Sequence, residues 1–207
     1  MKITSMPTGA LGVNTYLAVD EDTNKGFIVD PGGYSPNLTK MVQDEGITIE
    51  YIILTHGHSD HICGVNEHLY DFPEAKVVAN INEKPMLEDA GLNMSDSFGA
   101  SQTVKADIFV DDGDEMTVGN LKLKFLYTPG HTPGGMCIYI ESANILFSGD
   151  TLFCQSIGRT DFPGGSFRAL ADSVHSKLFV LPDETRVLPG HMGATTIGFE
   201  KENNPFV

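Results

Sequence analysis

Short runs of apolar and β-branched residues, each cut off by Gly, Asn or Asp, fill the start of the chain: KITSM, VNTYLAV and KGFIVD, the last closed by DPGG. Such runs predict strands joined by turns, so a hairpin or meander opens the fold. The period then changes. Ser35 and Pro36 read as a helix cap and first-turn proline, and Leu38, Met41 and Val42 keep helical spacing up to Glu45. YIILT follows as a continuous apolar run, the pattern of a strand buried on both faces. Ile62, Val65 and Leu69 predict a helix ending near Asp71-Phe72-Pro73, AKVVAN a strand, NEKPMLEDA a short helix, and residues 91–103 a loop.

The second half is again rich in strands, with DIFV, EMTV, LKLKFLYT, MCIYIES and NILFSGD. Phe167, Leu170, Ala171, Val174 and Leu178 share one face of a longer helix. The strand TRVLP and a short helix from Thr196 to Glu202 complete the pattern. Clustered strands with helices between and after them predict an α/β (α+β) fold of sheet layers flanked by helices. At 207 residues the expectation is one compact domain spanning 1–207.

One feature recurs at the strand ends. IILTHGH, FLYTPGH and RVLPGH each run from an apolar strand through glycine to a histidine, at His58, His131 and His191. NILFSGD does the same with Asp150. Glycine lets the chain turn sharply where the strand stops, so the next side chain can face a cleft at the sheet edge. The stretch HGHSDH adds His56, Asp60 and His61, so five of the seven histidines stand at such positions. Imidazole and carboxylate together suit zinc, iron or manganese rather than calcium. Counting donors assigns His56, His58 and His131 to one ion and Asp60, His61 and His191 to a second. Asp150 would bridge them, beside a hydroxide, with the ions about 3.5–4 Å apart. Two divalent cations, zinc first and iron or manganese as alternatives, are therefore the expected cofactors. Asp60 is the expected catalytic carboxylate, orienting the hydroxide and taking its remaining proton. His68 and His175 lack partner spacing and read as ordinary helix residues.

Composition narrows the partners. A formal charge of −15 with three arginines, Arg159, Arg168 and Arg186, argues against a nucleic-acid backbone. The opening MKITSMPTGA lacks a signal-peptide pattern and no 18-residue apolar run occurs, so neither a secretory leader nor a membrane span is expected. Cys63, Cys137 and Cys154 form no C-x-x-C pair, and reduced thiols in a cytoplasmic protein are the expectation. Asp30, in IVDPGG, reads equally as a turn former and as a carboxylate holding the far nitrogen of a ligand histidine. Phe153 and Phe162 read equally as pocket walls and as core.

From IVDPGG through THGHSDHICG, TPGHTPGG, FSGDTLF and SIGRTDFPGG to VLPGH, the chain resembles the metallo-β-lactamase superfamily and, within it, the short glyoxalase II-like branch. The resemblance implies an αβ/βα sandwich of two mixed sheets with helices outside and metals at one edge. It implies thioester hydrolysis of the S-lactoylglutathione type, on an anionic small-molecule substrate. True β-lactamases of the superfamily carry Cys or Ser where this chain has Asp150, which argues against antibiotic hydrolysis. Glyoxalase II places a Lys and a Tyr on glutathione where this chain has Arg159 and Asp161, and a helical domain where only 16 residues follow His191. Arg159 is thus the candidate substrate clamp. GRTDF also resembles the persulfide dioxygenases, whose single iron sits on two histidines and an aspartate, here His56 or His58, His131 and Asp150. That reaction, or hydrolysis of a lactone or other ester, is the alternative.

Overall fold

The computed structural model describes residues 1–99 and 101–207, and its strands gather into two six-stranded sheets and a small hairpin. The first sheet runs in chain order through β1 (Lys2–Thr8), β2 (Val13–Asp20), β3 (Lys25–Val29), β4 (Thr48–Ile53), β5 (Lys76–Asn80) and β6 (Ile108–Val110). Its first three strands are antiparallel, and from β3 onward the pairing is parallel. Parallel neighbours need crossovers, and helices supply them: α1 (Pro36–Asp44) before β4, then α2 (Ser59–Ile62) and α3 (Val65–Asp71) before β5. The Ser35 hydroxyl caps α1 by accepting the Leu38 N–H.

Beyond α4 (Lys84–Leu87), the second sheet is built from β7 (Glu115–Val118), β8 (Leu121–Tyr127), β9 (Met136–Ile140) and β10 (Ile145–Gly149). The hairpin β11 (Leu152–Phe153) and β12 (Ser156–Ile157) then leads to α5 (Phe167–Ser173). β13 (Arg186–Pro189) and β14 (Thr195–Thr196) join the sheet, and α6 (Ile197–Asn203) follows.

Strand alternation sorts side chains into three apolar layers. Phe27 and Val29 of β3 face Phe125, Ile138 and Phe147 between the sheets, whereas Ile28 turns to the helices of the first half. Cys137 and Tyr139 of β9 likewise turn outward onto Val174, Leu178 and Ile197. Helix, sheet, sheet, helix is the resulting order, the αβ/βα sandwich expected from the sequence.

Several local details differ from the sequence reading. The helix expected through Ile62 and Leu69 is broken into α2 and α3 at Gly64, whose N–H donates to the Pro31 carbonyl at 2.7 Å. A Cβ there would stand 2.5 Å from the Gly33 carbonyl, so the chain presses against the DPGG turn and cannot continue as one helix. The helix begun by α5 finishes as a π turn over Val174–Leu178. Residues 91–103 contain a one-turn helix, Ser95–Phe98, and Ala100 of that stretch lies outside the described residues. The hairpin β11–β12 and the two-residue β14 are too short to leave a periodic trace in the sequence.

Candidate metal centre

The strand ends that carry the histidines meet at one edge of the sandwich. β4 delivers His56 and His58, and α2 carries Asp60 and His61. From the second sheet, β8 leads to His131, β10 stops immediately before Asp150, and β13 runs through Gly190 to His191. Gly190 is packed where no side chain fits: a Cβ would lie 2.5 Å from His61 Cε1 and 2.6 Å from Asp150 Oδ1. Its N–H donates to the Gly149 carbonyl at 2.9 Å, tying the two approaches together.

Three overlapping groups of ligand-type atoms result: Asp30, His56 and His61 form one, and the other two clusters match the ligand sets expected from the sequence. One ligand atom each from His56, His58 and His131 lies within 4.8 Å of the others, and the same holds for Asp60, His61 and His191. Asp150 stands between the clusters. Its Oδ2 is 3.6 Å from His131 Nε2 and 3.8 Å from His191 Nε2, while Oδ1 is 3.4 Å from His61 Nε2. His58 Nδ1 and His131 Nε2 are 2.9 Å apart, a separation at which two imidazole nitrogens repel unless a proton or cation lies between them. His56 Nε2, His61 Nε2 and Asp150 Oδ1 are buried with no hydrogen-bond partner. Buried polar atoms are almost always satisfied. Orphans of ligand type, converging on one spot, are what a divalent cation satisfies, and the donor set suits one.

Charge divides the clusters. Burial and the neighbouring imidazoles press His56 well below its usual pKa and His58 down to about 3, so both stay neutral. His131 is lowered too, chiefly by burial. Around the second cluster, burial opposes protonation of His61, but Asp150 and Asp30 outweigh it and raise its pKa. His191 is raised by its hydrogen bond to Asp60, 3.2 Å away. Burial disfavours the charged Asp60, yet His191 and His61 outweigh it and hold the carboxyl far below the ordinary range.

Behind these groups lies a ring of orienting contacts. Asp30 has a left-handed backbone, φ 49°, and its Oδ2 accepts from His61 Nδ1 at 2.9 Å. The side chain thus faces a histidine of the second cluster. Oδ1 accepts the Thr55 N–H at 2.8 Å, and the Thr55 hydroxyl, which donates to Oδ2 at 2.5 Å, lies 3.1 Å from His56 Nδ1. The Arg159 carbonyl accepts from His131 Nδ1 at 2.7 Å. In each case the far nitrogen is held, which leaves the other facing the cluster. Thr55 and the Arg159 main chain had no signal in the sequence, because a contact through a hydroxyl or a carbonyl has no residue-type signature.

The clusters open into a cavity of about 510 Å³. Phe153, Ile157 and Phe162 line it together with Met94 and the exposed side chains of Leu11 and Met192. Both methionines have left-handed backbones, φ 69° and 67°. Leu11 and Met94 were not candidates from the sequence, since a hairpin tip and a polar loop have no periodicity that points inward. Arg159 lines the cavity, but its Nε and Nη2 both donate to Asp161 at 2.7 Å, and its guanidinium lies 3.8 Å from the Phe162 ring centre. The arginine expected to clamp a substrate anion thus already has a carboxylate on it. His68 and His175 stand apart from the clusters, and all three cysteines are free.

Two mixed sheets face to face, with a cleft of histidines and aspartates able to hold metal at one edge, are the architecture of the metallo-hydrolase superfamily. The chain belongs to the metallo-beta-lactamase superfamily, whose sequence model matches residues 8–191. It is 39% identical to the "Probable metallo-hydrolase YqgX" of Bacillus subtilis, covering 100% of this chain and 98% of that one. It is 32% identical to "Hydroxyacylglutathione hydrolase GloC" of Haemophilus influenzae, with coverage of 100% and 98%. Among solved structures, BLEG-1, described as a B3 metallo-beta-lactamase, superposes with a TM-score of 0.93 at 38% identity, covering 99% of each chain. TTHA1623 in a di-iron-bound form superposes with a TM-score of 0.86 at 31% identity, over 99% of this chain and 100% of that one. No helix among the described residues is long and apolar enough to cross a membrane.

Proposed function

We propose that this protein hydrolyses a small thioester of the S-lactoylglutathione type, with two divalent cations held by His56, His58 and His131 and by Asp60, His61 and His191, and shared by Asp150. The observation that carries the reading is the placement of Asp150, with carboxylate oxygens within 3.8 Å of ring nitrogens from both clusters. The similarity to GloC supports the substrate class, and the di-iron form of TTHA1623 supports a two-ion centre in this fold.

A bound cation pair supplies an activated water and polarises a carbonyl oxygen. The chain's own residues do the rest. Asp60, ionised and held by His191 at 3.2 Å, orients the nucleophile. Phe153 and Phe162 exclude bulk water from one wall. The departing thiolate has a pKa near ~8.5, so no strong general acid is required.

The persulfide dioxygenase reading is kept as the second, on GRTDF and on the histidine pair with Asp150 that a single iron would use. The similarity to BLEG-1 adds β-lactam cleavage as a third assay. The test is purification without added metal, elemental analysis, and parallel measurement of S-lactoylglutathione loss, oxygen uptake with glutathione persulfide, and β-lactam opening. Two ions per chain and thioester loss alone support the proposal. One iron with oxygen uptake transfers the assignment to the second reading.

A further inference from the structure

A buried carboxylate outside both clusters touches the two loops that carry the first of them. Glu83 ends a one-turn helix after β5 and is 1% exposed. Its Oε1 accepts the N–H of Gly57, the residue between His56 and His58, at 2.8 Å. A Cβ on Gly57 would stand 3.3 Å from Glu83 Cγ, so the turn rests on the side chain as well as on its oxygen. On its other side lies the loop of His131. A Cβ on Gly134 would be 2.3 Å from both the backbone nitrogen and Oε2 of Glu83. Thr132 Oγ1, next to His131, and Glu83 Oε2 are both buried with no hydrogen-bond partner. Among the described residues Glu83 has no salt bridge, so it is not half of a structural ion pair.

We infer that Glu83 is a positioning residue for the His56, His58 and His131 cluster. It sets the His56-Gly57-His58 turn against the His131 loop without touching a ligand atom itself. Two segments distant in sequence, one from each sheet, must agree to within tenths of an ångström for three imidazoles to share a cation. A buried acceptor that spans both enforces this, and its reach matters because an N–H at 2.8 Å is lost when the side chain shortens by one carbon.

The inference rests on the metal assignment proposed above, and cobalt(II) reconstitution of the full chain tests the two separately. If the wild-type protein takes up no cobalt, the metal assignment fails and the inference with it. If it takes up two, Glu83→Gln, which keeps the acceptor and its reach, should stay near the wild-type cobalt affinity and visible spectrum. Glu83→Asp and Glu83→Ala should lose about 10- to 100-fold in affinity at one of two ions, with a changed ligand-field spectrum. Glu200→Gln is the control, because that buried carboxylate ties α6 to the hairpin through Gln155, Thr195 and Asn204, away from the clusters. It should lower Tm and leave cobalt affinity unchanged. Wild-type cobalt binding by Glu83→Asp, loss by Glu83→Gln with retention by Glu83→Asp, or equal loss by Glu200→Gln would each overturn the positioning role.

Discussion

His61 and His68 are both fully buried and sit seven residues apart, on α2 and α3, yet they are built for opposite ends. His61 donates to Asp30 with one nitrogen and turns the other, partnerless, toward Asp150 and Asp60. His68 accepts the Ser35 N–H at 3.3 Å and lies among the rings of Phe72 and Tyr34. Carboxylates raise the pKa of His61 against burial, whereas burial prevails at His68 and lowers it. Burial alone therefore does not make a ligand. An orphaned nitrogen does not separate them either, since His68 Nδ1 is buried without a partner as His61 Nε2 is; what does is the carboxylate on the far nitrogen of His61 and the ligand-type atoms around its near one.

The comparison breaks most visibly at the shared carboxylate. Asp150→Ala should remove both ions and reduce activity to background, whereas His68→Gln should keep both; elemental analysis of the two variants decides it. Next in size is Asp30→Ala, which leaves His61 Nδ1 and the Thr55 hydroxyl without their acceptor. Metal affinity should fall about 10- to 100-fold, measured by competition with a chelator. His68→Ala should cost about 1–3 kcal/mol in denaturant unfolding through lost packing, with metal content intact.

The His68 pKa adds a pH signature. Its folded value lies below the ordinary ~6.5, so the unfolded chain binds the proton more readily. Its contribution to stability is present above that pH and is lost as pH falls through the window toward the folded value. His68→Gln should flatten that part of the stability curve relative to wild type, and an unchanged slope would show that His68 titrates normally. The smallest effect is expected at the cavity rim. Because Arg159 is exposed and paired, Asp161→Ala should lower KM for an anionic thioester by no more than about 5-fold, the scale of a surface ion pair of ~1 kcal/mol. No change in KM in either Asp161→Ala or Arg159→Ala would take both out of substrate contact.

Much of this was legible along the chain. Strands such as VNTYLAV and MCIYI announce themselves because burial on a pleated surface selects apolar and β-branched residues in unbroken or alternating runs. The metal-type residues stood out for another reason: His58, His131, Asp150 and His191 each follow a strand and a glycine, an unusual placement for imidazoles and carboxylates, and His56, Asp60 and His61 crowd the same HGHSDH stretch as His58. Thr55, Glu83 and Met94 were not legible, since their roles depend on which loops pack together. Nor was the break between α2 and α3, which comes from the DPGG turn lying against Gly64 rather than from any helix-ending residue pattern.

By itself, then, the chain determined the order and kind of its main elements and the set of residues able to hold cations, because both follow from periodicity and side-chain chemistry. Only the tertiary structure decided that Asp30 faces His61, that Arg159 is already engaged by Asp161, and that one buried glutamate spans two loops. Those contacts join positions brought together by packing two sheets, and interatomic distance across that interface is a quantity no local pattern encodes.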